Sequence, residues 1–117
     1  WLTQTLGVET TYTFIFRHES ATSSPTAPGV APSEQIMAAH PYTLSIVGHS
    51  HTYFHRNGTR EVIIGNGGAP LSSKTYGFGI FSQRSDGAIV VDMIDYMSGL
   101  ADGQFHFVVK ADGTPTN

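Results

Sequence analysis

Apolar residues along this chain fall into short runs of two kinds, and the kind changes near its middle. Trp1, Leu2, Thr5 and Leu6 share one helical face that stops at Gly7, a residue suited to a helix C-cap. No N-cap precedes this half-helix, so it reads as the end of an element from a longer parent. β-Branched and aromatic residues fill positions 11–16, a strand that finishes at Arg17-His18-Glu19. Prolines, a glycine and a cluster of Ser, Thr and Ala then predict an irregular surface loop over residues 19–32. Ser33 is placed to cap a helix running to about His40, with Glu34 near its N-terminus and Pro41 stopping it. Residues 43–47 follow as a strand whose Leu44-Ser45-Ile46-Val47 run reads as buried. Helix, strand, loop, helix, strand is the rhythm of a parallel α/β unit, where sites collect at the carboxyl ends of strands.

Past His51 the pattern turns to hairpins. Residues 52–56 and 59–64 flank Asn57-Gly58, the strongest short hairpin signal. Gly65-Asn66-Gly67-Gly68-Ala69-Pro70 forces a loop with close backbone approach. Further strands are predicted at residues 77–83, 88–94 and 104–110, separated by Ser85-Asp86-Gly87 and by residues 97–103. In the last strand Phe105, Phe107 and Val109 alternate with Gln104, His106 and Val108, which puts one face against a core. Residues 112–117 read as a disordered tail. The fold class is α/β: a short α/β unit followed by a β-rich antiparallel tail, in a single domain over residues 1–117.

Composition narrows the chemistry. Six Lys and Arg against nine Asp and Glu give a formal net charge of -3 with no basic stripe, which argues against a nucleic-acid partner. The apolar runs are too short to cross a bilayer as helices. Cysteine is absent, so disulfides and thiolate metal ligands are excluded, leaving histidine and the carboxylates for metal chemistry. Abundant Ser and Thr and the sequon Asn57-Gly58-Thr59 suit an exported protein, extracellular or periplasmic, although Asn-Gly has its own reason in a hairpin turn.

The candidate chemistry gathers at Gly48-His49-Ser50-His51, directly after the buried strand. Two imidazoles two residues apart at the mouth of a strand can serve one metal ion, or one each of a pair. His18 ends the earlier strand in the same way. His40 reads as a helix-end cap, His106 as a solvent-face residue, and His55 as an available further ligand.

With VGHSHTY following a strand-end histidine, a loop and a helix, and with EVIIGNGG after it, the chain resembles the C-terminal half of a calcineurin-like metallophosphoesterase. It is most similar to purple acid phosphatase-like members, over roughly residues 1–95. The resemblance implies the C-terminal half of a four-layer α/β/β/α sandwich and two metal ions, Fe, Zn or Mn. It implies that His18 and His49 bind one ion and His51 the other, and that a hydroxide bridging the ions attacks a phosphate ester in line. The three histidines hold ions rather than act as bases, so metal affinity should fall on acidification. Asn66, Gly67 and Gly68 are expected on the phosphate side. The family's DxH, GDxxD and GNH motifs do not occur here, and Gly65-Asn66 is followed by Gly67. The implied partner is therefore a missing N-terminal half, and the isolated chain is expected to be inactive. Two other readings compete: a cupin-like mononuclear metal β-barrel and a β-rich binding module with incidental histidines. The barrel lacks its carboxylate after HxH, where His55, Arg56 and Asn57 stand instead.

Overall fold

The parallel rhythm of the first half and the hairpins of the second fold into two separate sheets. A computed structural model describes residues 1–72 and 74–117. Its elements are α1 (Leu2–Leu6), β1 (Phe14–Arg17), α2 (Val30–Ala38), β2 (Leu44–Val47), β3 (Tyr53–His55) and β4 (Glu61–Ile64), then β5 (Gly77–Gln83), β6 (Ile89–Asp95), β7 (Ala101–Val109) and β8 (Pro115–Thr116). The first sheet runs β1-β2-β4-β3 and the second β5-β6-β7-β8. β1, β2 and β4 are parallel, and β3 returns antiparallel along β4. Parallel neighbours need a long crossover, and α2 supplies it between β1 and β2. The second sheet is antiparallel throughout. This mixed α/β arrangement is incompatible with an all-antiparallel cupin barrel.

Side-chain alternation assigns the layers. Leu44, Val62 and Tyr53 from the first sheet pack against Ile89, Val91, Met93, Phe105 and Val109 of the second. On the first sheet's other face Ile15 packs with Leu6 and Met37 of the two helices and with Tyr42, which follows α2. β2 is covered on both faces, which explains why Leu44, Ser45 and Val47, pointing to opposite sides, are all buried.

Several boundaries differ from the sequence reading. α2 starts at Val30, inside the expected loop, with Gly29 as N-cap. Pro32 falls in its first turn, where a missing N–H costs nothing. Ser33 is therefore not the cap: its hydroxyl donates to the Val30 carbonyl (2.7 Å) and accepts from Arg17 Nη1 (3.1 Å). β7 begins at Ala101, within the expected connection, after a register shift between Asp92 and Ile94. The tail is ordered rather than disordered. The Asp112 carboxylate accepts from the Thr114 N–H (2.9 Å), Gly113 takes a left-handed φ of 81°, and Pro115 and Thr116 pair with Val109 and Val108. The hairpin at Asn57-Gly58 forms as expected, with Gly58 at φ 79°.

Backbone hydrogen bonds gather the chemistry at one end of the sandwich. Gly48 N–H donates to the His18 carbonyl (3.0 Å), Gly65 to Thr52 (2.8 Å), Gly77 to Asn66 (3.2 Å) and Tyr96 to Tyr76 (2.8 Å). The carboxyl ends of β1, β2 and β4 thus meet the start of β5 and the end of β6.

Candidate metal centre

His18 stands immediately after β1, and the residue before it fixes where it stands. The Arg17 side chain is 14% exposed and bonds in four directions. Its Nε donates to the Glu19 carbonyl (2.6 Å), Nη1 reaches Ser33 and Glu34 (3.1 and 2.6 Å), and Nη2 reaches Glu61 (3.1 Å). The planar guanidinium with its fork of donors suits this role. It ties the end of β1 to α2 and β4, and His18 is carried with it.

His49 is set by backbone geometry. Its φ is 62°, in the left-handed region that costs an L-residue about 1–2 kcal/mol. The Ser50 N–H donates to the Gly48 carbonyl (2.7 Å), closing a three-residue turn over His49. Thr52 N–H donates to Ser50 (2.7 Å), closing a second such turn over His51. Strain of this kind at a non-glycine residue points to a function for the position. The result is that His49 Nδ1 lies 3.1 Å from His18 Nε2, the two rings nearly perpendicular with centroids 5.1 Å apart.

That spacing fits a shared cation as well as a shared proton. Two nitrogens about 2.0–2.1 Å from one ion lie roughly 3.3 Å apart at a tetrahedral angle and roughly 2.9 Å at a right angle. The observed separation falls between the two. Among the described residues no set of three or more His, Asp, Glu or Cys could hold a metal ion.

His51 is held differently. Its Nδ1 lies 2.7 Å from the Pro70 carbonyl oxygen, which can only accept, so the ring proton sits on Nδ1 and the neutral ring keeps a lone pair on Nε2. The His51 carbonyl in turn accepts from the Ser72 N–H (2.9 Å) and hydroxyl (3.0 Å). A ring N–H spent on a backbone carbonyl is the usual way a metal-ligating histidine is oriented.

The glycine-rich loop divides the other expected site residues. Asn66 is wholly buried, its Nδ2 donating to the Thr75 carbonyl (2.9 Å) and resting against Met93 Sδ, while its Oδ1 has no hydrogen-bond partner among the described residues. Gly67 and Gly68 are exposed.

The remaining histidines stand apart from the pair. His40 Nδ1 donates to the Ile36 carbonyl (2.8 Å), the expected helix-end cap. His55, at the other end of β3 from His51, stacks on Phe107 with centroids 3.7 Å apart and donates from Nε2 to the Thr59 carbonyl (3.1 Å). It does not join the metal-ligand candidates. Burial lowers its pKa from the ordinary 6.5, the Thr59 carbonyl opposing this in part. His106 is on the solvent face, paired with Asp92 across the strands at 2.7 Å.

Sequence reasoning missed Arg17 and the Pro70 carbonyl. Arg17 offered a signal, since an arginine abutting a strand-end ligand is well placed to fix it. The Pro70 contact depends on how the glycine loop folds back and leaves no mark in the sequence. No family model, curated protein or solved structure matches the chain. The functional reading therefore rests on the site.

Proposed function

We propose that the chain is the C-terminal part of a dinuclear metal-dependent phosphoesterase, in which His18 and His49 hold one ion and His51 the second. The observation that carries this reading is the His18–His49 pair: two strand-end imidazoles brought to 3.1 Å, one of them on a left-handed backbone. When bound, ions such as Fe, Zn or Mn supply Lewis acidity, lowering the pKa of water and offsetting charge on phosphate oxygens. The chain's own contribution is to orient the ligands: Arg17 positions His18, the paired tight turns position His49 and His51, and Pro70 sets the His51 tautomer.

The open side of the sandwich supports an N-terminal partner half. Phe14 and Phe16 share register with Leu44 and Ile46, so they face the second sheet, yet Phe16 is 73% exposed. β1 and β5 are end strands of their sheets on this same side, where the Phe14 and Phe81 rings meet edge-on at 6.1 Å. Inward-facing Phe14 and Phe16, left exposed on the edge strand β1, suit a core that continues into further strands. The remaining metal ligands would come from that half, and the isolated chain would turn over little or no substrate.

Equilibrium dialysis with zinc or manganese tests the reading. His18→Ala and His49→Ala should each weaken metal binding at least tenfold, and His106→Ala should leave it unchanged. Equal metal content in all four proteins would favour the binding-module reading instead.

A further inference from the structure

Arg17 and Arg84 are each paired with carboxylates, Arg17 with Glu34 and Glu61 and Arg84 with Asp86. Arg56 and Arg60, the other arginines of the chain, have no carboxylate partner among the described residues. They flank the Asn57-Gly58 turn, and both line one groove on the helix-bearing face of the first sheet. Alternation puts Ser45, Phe54 and Ile63 on that face, because their neighbours Leu44, Tyr53 and Val62 point into the core shared with the second sheet. The Ser45 hydroxyl is buried and has no hydrogen-bond partner among the described residues. A buried hydroxyl left unpaired opposes folding, and an occupant of the groove would pair it.

Arg60 is set in place by the fold itself. Its guanidinium lies 3.6 Å over the centre of the Tyr42 ring, and Nη1 donates to the Tyr42 carbonyl (3.2 Å). The fork keeps further donors for a ligand. The carboxylates bordering the groove are already engaged. Glu34 and Glu61 both bond to Arg17, and Glu61 also accepts from the Ser20 hydroxyl and the Ala21 N–H. With Arg17 counted, three guanidinium groups stand against these two carboxylates, so the local surplus is positive. The groove encloses about 160 Å³. That is below the roughly 300–1,000 Å³ of sites for drug-sized ligands, so the occupant is small.

We propose that this groove binds a small oxyanion, a carboxylate or phosphate, with Arg56 and Arg60 as a cationic clamp and the Ser45 hydroxyl as a buried donor. Phe54 and Ile63 flank it with apolar surface, which strengthens the charged hydrogen bonds. The site is separate from the candidate metal centre. Ser45 and Glu61 are register partners near the amino ends of β2 and β4, whereas His18 and His49 follow the carboxyl ends of β1 and β2. Oxyanion binding here does not depend on the phosphoesterase reading.

NMR titration of the metal-free ¹⁵N-labelled chain tests it, following the Ser45 and Glu61 amides and the Nε signals of Arg56 and Arg60. The probes are inorganic phosphate, acetate and acetamide, the last a neutral isostere of acetate. Phosphate or acetate should shift these signals saturably, with acetamide about tenfold weaker or more. The tighter of the two anions names the class of ligand. Arg56→Gln and Arg60→Lys should each weaken the preferred anion about tenfold, the first by removing a charge and the second by removing the fork. Ser45→Ala should weaken it several-fold without lowering the thermal midpoint, because the hydroxyl it removes is unpaired in the free fold. Arg84→Gln, which removes a guanidinium elsewhere, should change nothing. Shifts that rise without saturation, or an equal loss in Arg84→Gln, would mean an adventitious ion only and overturn the site. Acetamide binding as tightly as acetate would overturn the anion assignment. A Ser45→Ala chain that kept full affinity and lost stability would give the hydroxyl an internal partner and remove it from the site.

Discussion

Gly65 passes against Ser50 with no room for a side chain between them. A Cβ on Gly65 would overlap the Ser50 carbonyl oxygen, the same oxygen that accepts the Thr52 N–H and closes the turn over His51. Backbone cannot yield as the end of a flexible side chain can. Gly65→Ala should therefore displace the Gly48–Thr52 turns, costing about 1–3 kcal/mol of stability by overpacking and weakening metal binding with it. Denaturant unfolding and metal dialysis on the same variant check both effects. A variant that lost stability but kept full metal affinity would show that the turns do not position the ligands.

The strain at His49 can be isolated by comparing two substitutions. His49→Ala and His49→Gly both remove the imidazole and its contact with His18, but only glycine tolerates a φ of 62° at no steric cost. The glycine variant should be the more stable of the two by about 1 kcal/mol, the reverse of their order at an ordinary position. Urea unfolding of the pair is the measurement. Alanine proving the more stable would mean that the backbone at this position is not strained. Both variants should bind metal equally poorly, which separates the role of the ring from that of the backbone.

The sequence was legible where local chemistry decides structure. Alternation placed Phe105 and Val109 in the core, the run Leu44–Val47 predicted a buried strand, and Asn57-Gly58 located the hairpin. Strand ends located His18 and His49 at one end of the sheet. Reading failed where long-range contact decides. Pro32 looked like a helix breaker because nothing local marks it as lying in a first turn, and the tail looked disordered because β8 exists only by pairing with β7. Asn66 resembled a surface loop residue in a glycine-rich stretch, and its burial follows from Met93 and Thr75, residues far from it in pattern.

Arg17 should matter for both stability and site. Its partner Glu61 is 19% exposed at the side chain and also accepts from Ser20 Oγ and the Ala21 N–H (2.9 Å). Arg17→Met keeps the volume but leaves this carboxylate without its cation, at a cost of about 3 kcal/mol. Adding Glu61→Gln should return part of that loss, and the double-mutant cycle gives the coupling. Metal affinity should fall in Arg17→Met and stay low in the double variant, because His18 loses its anchor in both. Full metal affinity in Arg17→Met would remove Arg17 from the site.

His55 makes the stability of the chain depend on pH. Burial over Phe107 lowers its folded pKa below the ordinary 6.5, so the unfolded chain takes up this proton at a higher pH than the folded one. Its contribution is therefore fully present above about pH 6.5 and is lost as the pH falls toward the lowered folded value. Urea unfolding at pH 7.5 and at pH 5 should show the wild-type chain losing more stability on acidification than His55→Phe, which keeps the aromatic stack and removes the titration. The slope against urea should be the same in both proteins, so that the midpoints report stability. The other histidines are common to both chains and cancel in the difference. Equal losses in the two proteins would mean that His55 is protonated in the fold as readily as in the unfolded chain, and that its stacking on Phe107 does not exclude water.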